Sequence, residues 1–256
     1  MTGGPSTELA ASFGLAAPAY AEHRPDYAIE AVRWALEPAP GTRVLDLGAG
    51  TGKLTATLVE LGCEVIAVEP DPRMLAELRQ ALPRVQALAG RAEEIPLPDA
   101  CVDAVVSGNA MHWFDPAAAG PELARVLAPG GVLAGLWNLF DDEVPWVRGL
   151  AEVGGREAIG PRDTPGQWPT ATAHLSEFPG GFVAAERAMF PHRQRRTAES
   201  LVATLSTKAG ILVLPETERT DRLERVRAYL AGRPETASGE FDLPLQTAVL
   251  RLARVC

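Results

Sequence analysis

Asp46, Gly48, Gly50 and Gly52 fall together in VLDLGAGTG, residues 44–52, where an apolar run carries a carboxylate and ends in a glycine-rich turn. Glycine lets the backbone reverse and approach a ligand where a Cβ would collide. KLTATLVEL, residues 53–61, follows with Leu54, Leu58 and Leu61 at helical spacing, so the N–H groups of a helix start face whatever the turn holds. The stretch reads as a cradle for a nucleotide-type cofactor. A P-loop would need Gly at position 47 and Ser or Thr at 54, and leucine stands at both. A dinucleotide fingerprint would need a third glycine or alanine where Lys53 stands, which makes hydride chemistry the weaker reading.

Elements that position this loop can be read around it. Apolar strands are expected near residues 43–48, 64–69, 85–89, 102–107 and 131–137, with helices between most of them. That alternation specifies a mostly parallel sheet covered on both faces. Asp71 is a helix N-cap with Pro72 at the first helical position, Asp115-Pro116 opens a helix, and Pro129-Gly130-Gly131 closes it. Upstream, Ile29, Val32 and Leu36 recur at helical spacing after Asp26 and suggest a helical lid. Beyond Asn138 the pattern predicts helix in 141–160, loop in 160–170, strands at 185–190 and 243–255, and helices near 197–209 and 215–231. The basic run HRQRR, residues 192–196, reads as a solvated loop.

With 256 residues and 46% hydrophobic content the chain can bury one large core. A net charge of −9 argues against a nucleic-acid substrate, which calls for a positive face. Residues 1–10 hold no signal-peptide core and no segment approaches the roughly 20 apolar residues of a membrane span, so a cytoplasmic protein away from membranes is expected. Cys63, Cys101 and Cys256 are odd in number, widely spaced and without a CxxC pair, as reduced packing thiols would be. Asp141-Asp142 cannot by itself supply convergent metal ligands and reads as a polar loop, so no metal site is expected.

GxGxG preceded two residues earlier by Asp46 resembles motif I of the class I S-adenosyl-L-methionine (SAM)-dependent methyltransferases. EVIAVEP at 64–70, the segment 90–115 and RVLAPGGVLAGLWN at 125–138 resemble the later motifs of the small-molecule "type 11" branch, in the right order and spacing. The resemblance implies an α/β, Rossmann-like, seven-stranded and mostly parallel sheet with helices on both faces, an antiparallel last strand and a helical substrate cap. It divides the chain into an N-terminal lid, 1–40, a SAM-binding core, 41–140, and a remainder, 141–256, with cap insertions at about 141–180 and 191–236. Cofactor contacts are implied at Gly48, Ala49, Gly50, Gly52, Pro70 and Ala92. Glu69 ends the second strand, where a carboxylate accepts the ribose hydroxyls. Asp46 acts toward the methionyl amine through water or the loop backbone. Arg91 stands where many relatives carry Asp, and a guanidinium has no acceptor for the adenine amine, which leaves Glu93 as a candidate for that task. Asn109 is expected near the methionyl part. Tyr20 and Arg24, in a segment resembling the relatives' "Y…RP.Y" pattern, close the lid, with Arg24 pairing the SAM carboxylate.

Methyl transfer is an in-line displacement in which positioning alone lowers the barrier by several kcal/mol, so no catalytic side chain is obligatory. His112, after the fourth strand, is the candidate general base, against a packing role in its loop. Trp113 and Phe114 read as packing residues, and Trp137-Asn138 as facing the acceptor pocket. The expectation is methyl transfer to the O, N or C atom of a small molecule by a monomer or homodimer. A SAM-binding protein that does not transfer methyl groups shares every cofactor motif and stands as the alternative.

Overall fold

Residues 24–255 are described by a computed structural model. Tyr20 and Cys256 lie outside the described residues. The chain runs α1 (Ile29–Leu36), β1 (Arg43–Leu47), α2 (Lys53–Glu60), β2 (Glu64–Glu69), α3 (Pro72–Ala81), β3 (Gln86–Ala89), β4 (Val102–Gly108), α4 (Pro116–Val126) and β5 (Leu127–Phe140). It continues through α5 (Pro145–Ala158), α6 (Trp168–Ala171), β6 (Phe182–Arg196), α7 (Ala198–Ser206), α8 (Ala209–Leu212), α9 (Glu216–Ala231) and β7 (Phe241–Arg254). One seven-stranded sheet has the order β3-β2-β1-β4-β5-β7-β6, with β7 antiparallel to both neighbours and the other pairings parallel. This is the expected Rossmann-like architecture, with chain direction reversing at β7.

The period of two along each strand sorts side chains onto opposite faces. Val44 packs with Ala31, Val32, Leu54 and Leu58 of α1 and α2, whereas Leu45 and Leu47 pack with Ala119 and Leu123 of α4. Asp46 alternates with Leu45 and Leu47 and so lies on the α2 side. Asp71 caps α3 by accepting from the N–H groups of Arg73 and Met74, and Asp115 caps α4 through Ala117. A separate apolar cluster joins α5, α7 and α9 to Phe140, Phe241 and Leu245 at the ends of β5 and β7. Among the described residues no helix is long and apolar enough to cross a membrane.

Two expectations change. HRQRR is strand, not loop: His192 to Arg196 pair with Leu245 to Phe241 in β7, and Arg196 is buried. The long β7 supplies the hydrogen-bonding edge that keeps this polar run extended. Pro129-Gly130-Gly131 does not close α4, which ends at Val126; these residues lie inside β5, whose register shifts between Val102 and Ala104 on β4.

Candidate active site

The carboxyl ends of β1, β2 and β4 meet around the glycine turn. Gly48, Gly50 and Gly52 have φ of 71°, 57° and 90°, values that L side chains rarely adopt. The N–H groups of Gly48 and Ala49 both donate to Val68 O on β2, at 2.9 and 3.1 Å, which fixes the turn to the neighbouring strand. Glu69, buried at the end of β2, accepts from Gly50 N at 2.8 Å and from Asp71 N at 2.9 Å. Burial raises its pKa, and those two N–H groups work against the rise. Pro70 is exposed beside it and Ala92 is buried.

Asp46 is fully buried, and its Oδ2 accepts from Thr55 Oγ1 at 2.6 Å. Its Oδ1 is buried with no hydrogen-bond partner. Burial pushes its pKa up to about 7; the Thr55 hydroxyl lowers it and the charge of Glu69 adds to the rise. Asp46 lines a cavity of about 30 Å³ with Tyr27, Gly48, Gly50, Thr51 and Gly108. That space is large enough for a water or an ammonium group.

A second cavity, of about 490 Å³, opens on the other side of the β4 end. Asn109, His112, Trp113 and Trp137 line it from the sheet, and Arg24, Arg156, Arg162, Asp163 and Lys208 from the strap and the helical layer. Asn109 has φ of 53°, a left-handed conformation that Asn tolerates, and its N–H donates to Leu136 O at 2.7 Å while Nδ2 donates to Tyr27 Oη at 3.0 Å. Gly108 faces the small cavity and Asn109 the large one, so adjacent residues bound both. A Cβ on Gly108 would collide with the Tyr27 hydroxyl.

Residues 24–28 form a strap across this edge. Asn138 Nδ2 donates to the carbonyls of Pro25 and Asp26, each at 3.1 Å, Thr247 Oγ1 accepts from Ala28 N at 3.0 Å, and Asp26 pairs with Lys53 on α2 at 3.1 Å. Arg24 donates from Nε and Nη2 to the Thr207 hydroxyl and carbonyl, both at 3.1 Å, on the wall of the larger cavity.

His112 is the largest departure from expectation. Trp137 Nε1 donates to His112 Nδ1 at 3.2 Å, which leaves the ring proton on Nε2. Burial, followed by the charge of Arg162, pushes its pKa down to about 3. The imidazole is therefore a neutral hydrogen-bond donor at Nε2, an arrangement that favours the alternative to a general base. The Glu93 carboxylate accepts from Arg91 Nε at 2.8 Å and Asp115 N at 3.0 Å, which together outweigh burial and hold its pKa down. It ties the 90–94 turn to the start of α4 and, as a carboxylate, keeps further lone pairs. Asn138 faces the strap, while Trp137 faces the cavity as expected. Trp113, read as packing, lines the cavity. Tyr27 was missed although it is the last aromatic of the "Y…RP.Y" pattern; Arg156, near the end of α5, and Arg162 and Lys208, in connecting segments, belong to no motif. Cys63 and Cys101 are half-buried free thiols, and the described residues contain no cluster of metal-ligating side chains.

Residues 45–135 match the model of a methyltransferase-domain family, type 11. An uncharacterized methyltransferase from Mycobacterium tuberculosis is 44% identical over 245 residues, 95% of this chain and 96% of that one. An uncharacterized methyltransferase-like protein from Schizosaccharomyces pombe is 37% identical over 216 residues, 82% of this chain and 81% of its own. A solved structure from Anaeromyxobacter dehalogenans, assigned as a type II methyltransferase, superposes with a TM-score of 0.64 at 29% identity and covers 91% of this chain and 97% of that one. The chain belongs to the class I SAM-dependent methyltransferases of the type 11 branch and is an enzyme of that class.

Proposed function

We propose that the protein methylates a small molecule, with the cofactor on the glycine turn and the acceptor in the larger cavity. The observation that carries this reading is the adjacency of Gly108 and Asn109, which sets the two cavities shoulder to shoulder at the sheet's carboxyl edge. In-line transfer needs this arrangement, because the acceptor atom must lie behind the methyl carbon.

The residues present fit SAM. The partnerless Oδ1 of Asp46, buried against an ammonium-sized cavity, is a ready acceptor for the methionyl amine or a water that serves it. Glu69 accepts two backbone N–H groups and, as a carboxylate, keeps lone pairs for the ribose hydroxyls. Gly48, Ala49, Gly50 and Gly52 give the ligand access to the backbone, Pro70 and Ala92 border the adenosine side, and Tyr27 replaces Arg24 as the strap residue over the cofactor. When bound, SAM supplies an electrophilic methyl group on a sulfonium. The chain's own residues orient the partners: Asn109 and Tyr27 set the wall between the cavities, and His112 donates from Nε2 toward the acceptor.

Calorimetric titration with SAM, S-adenosylhomocysteine (SAH) and NADH tests the cofactor, and mass spectrometry for a gain of one CH₂ across candidate acceptors tests transfer. SAH binding without NADH binding, together with a methylated product, is the expected result. A protein that binds NADH and not SAH contradicts the reading.

A further inference from the structure

We infer that the acceptor is a carboxylate, drawn in by the guanidinium groups of Arg156 and Arg162 and methylated on oxygen without a general base. The inference rests on the methyltransferase reading above and names its substrate class.

Charge is the first observation. The chain carries −9, yet four cationic side chains, Arg24, Arg156, Arg162 and Lys208, line the larger cavity against two carboxylates, Glu157 and Asp163. Both carboxylates already have cationic partners: Asp163 pairs with Lys208, and Glu157 pairs at 2.7 Å with Arg222, which is not part of the lining. Among the described residues Arg156 and Arg162 therefore leave the lining with a positive surplus, and the low-dielectric walls focus that field on an anion entering the cavity. Arg156 and Arg162 are exposed at the mouth, where a planar guanidinium meets a carboxylate through two parallel hydrogen bonds.

The second observation concerns protons. A hydroxyl acceptor has to lose its proton in the course of transfer, and a general base beside it speeds that step. His112 is the only imidazole lining the cavity among the described residues, and its Nδ1 is taken by the Trp137 N–H. A carboxylate needs no such base, since it is ionised at neutral pH. In the step itself, a carboxylate oxygen forms the new C–O bond with its own lone pair while the donor's S–C bond breaks and leaves its electrons on sulfur. One positive and one negative charge disappear together, no proton moves, and the products are a methyl ester and SAH.

The test uses the full chain with methyl-tritiated SAM and a panel of benzoate, phenylacetate, decanoate, succinate and glutarate, each beside its amide and alcohol. The expected result is label on acids alone, released as volatile methanol by mild base, as an ester releases it. The Arg156→Ala, Arg162→Ala double variant should raise the KM of the acid about 10-fold or more with kcat little changed. Calorimetry should show the same acid binding the SAH-loaded wild type and binding the SAH-loaded variant correspondingly more weakly, with SAH affinity equal in both. Base-stable label, preference for alcohols or amides, or a protein that binds SAH but neither binds nor methylates any acid overturns the carboxylate assignment alone. Failure to bind SAH overturns the methyltransferase reading of the site instead.

Discussion

Replacing Asp46 by Asn tests whether the buried carboxylate beneath the glycine turn is kept for a cationic ligand. Asp46 has a pKa near 7, against an ordinary 3.8, because burial disfavours its charge more than the Thr55 hydroxyl favours it. An acid with a raised folded pKa binds its proton more tightly folded than unfolded. Its contribution to stability is thus greatest below the unfolded pKa and is lost as pH rises to the folded one. From pH 5 to pH 7 the change spans about 2 pKa units, or about 3 kcal/mol at roughly 1.4 kcal/mol per unit, and above pH 7 it levels off. His112 acts in the opposite sense, because its lowered pKa makes the unfolded imidazole the stronger base below about pH 6.5. The measured quantity is therefore the difference between Asp46→Asn and wild type, in which His112 cancels. The variant should gain about 3 kcal/mol on wild type between pH 5 and pH 8, a relative Tm shift of about 6 to 12 °C for a chain of this size. A cationic group beside Asp46 favours the ionised form. SAH should consequently bind wild type more tightly as pH rises through 7, and bind the variant about 10-fold more weakly and without that dependence. Thermal melts and calorimetry from pH 5 to 8 read both effects. Parallel Tm profiles for the two proteins would refute the burial argument, and unchanged SAH affinity with the same pH dependence would refute a cation at this position.

Glu69→Gln sets an amide N–H against one of the two backbone donors now held by the carboxylate, so the ligand-free Tm should fall by about 3 to 12 °C, for a loss of about 1.5 to 3 kcal/mol. If the ribose hydroxyls also use Glu69, SAH affinity falls about 10- to 150-fold; a lower Tm with unchanged affinity leaves Glu69 as a loop fastener only. Gly108→Ala drives a methyl group into the Tyr27 hydroxyl and should break its bond to Asn109, weakening SAH about 10-fold while circular dichroism stays native; a variant binding SAH like wild type would show that Tyr27 does not cover the cofactor. His112→Gln should keep kcat within about 10-fold and wild type should show no acid limb near pH 6.5, since a lost general base would lower the rate by about 10² to 10⁴; a larger drop with such a limb would restore the base.

The sheet and the glycine turn were legible because local pattern and tertiary role coincide there. A buried parallel strand must be apolar, and a turn with three positive φ angles selects glycine. HRQRR misleads because its composition is that of a loop, whereas its conformation is imposed from across the sheet by β7. The state of His112 was not legible, since it depends on Trp137, 25 positions further along the chain, on burial and on charges from the helical layer. Neither partner is visible in a linear motif. The same holds for Glu93, whose partner, the Asp115 N–H, is 22 positions away. Spacing names the candidates near a turn, and only the fold shows which hydrogen bonds are already taken.

The two cavities differ in charge, and that difference bears on the proposed transfer from a sulfonium to an anion. The buried carboxylates of Asp46 and Glu69 border the glycine turn, while the larger cavity has a surplus of guanidinium and ammonium groups. On the carboxylate proposal, a cationic donor and an anionic acceptor meet at the Gly108–Asn109 wall, each beside groups of opposite charge. Two ions that neutralise each other in the reaction lose solvation they no longer need, and removing them from water strengthens their mutual attraction. Low polarity around the reacting atoms therefore aids this transfer, whereas it would oppose one that separates charge. Burial keeps His112 neutral, and the charges of Arg162 and Lys208 add to this against that of Asp163. On the carboxylate proposal, a neutral imidazole with its proton on Nε2 donates to one acceptor oxygen and leaves the other free to meet the methyl carbon.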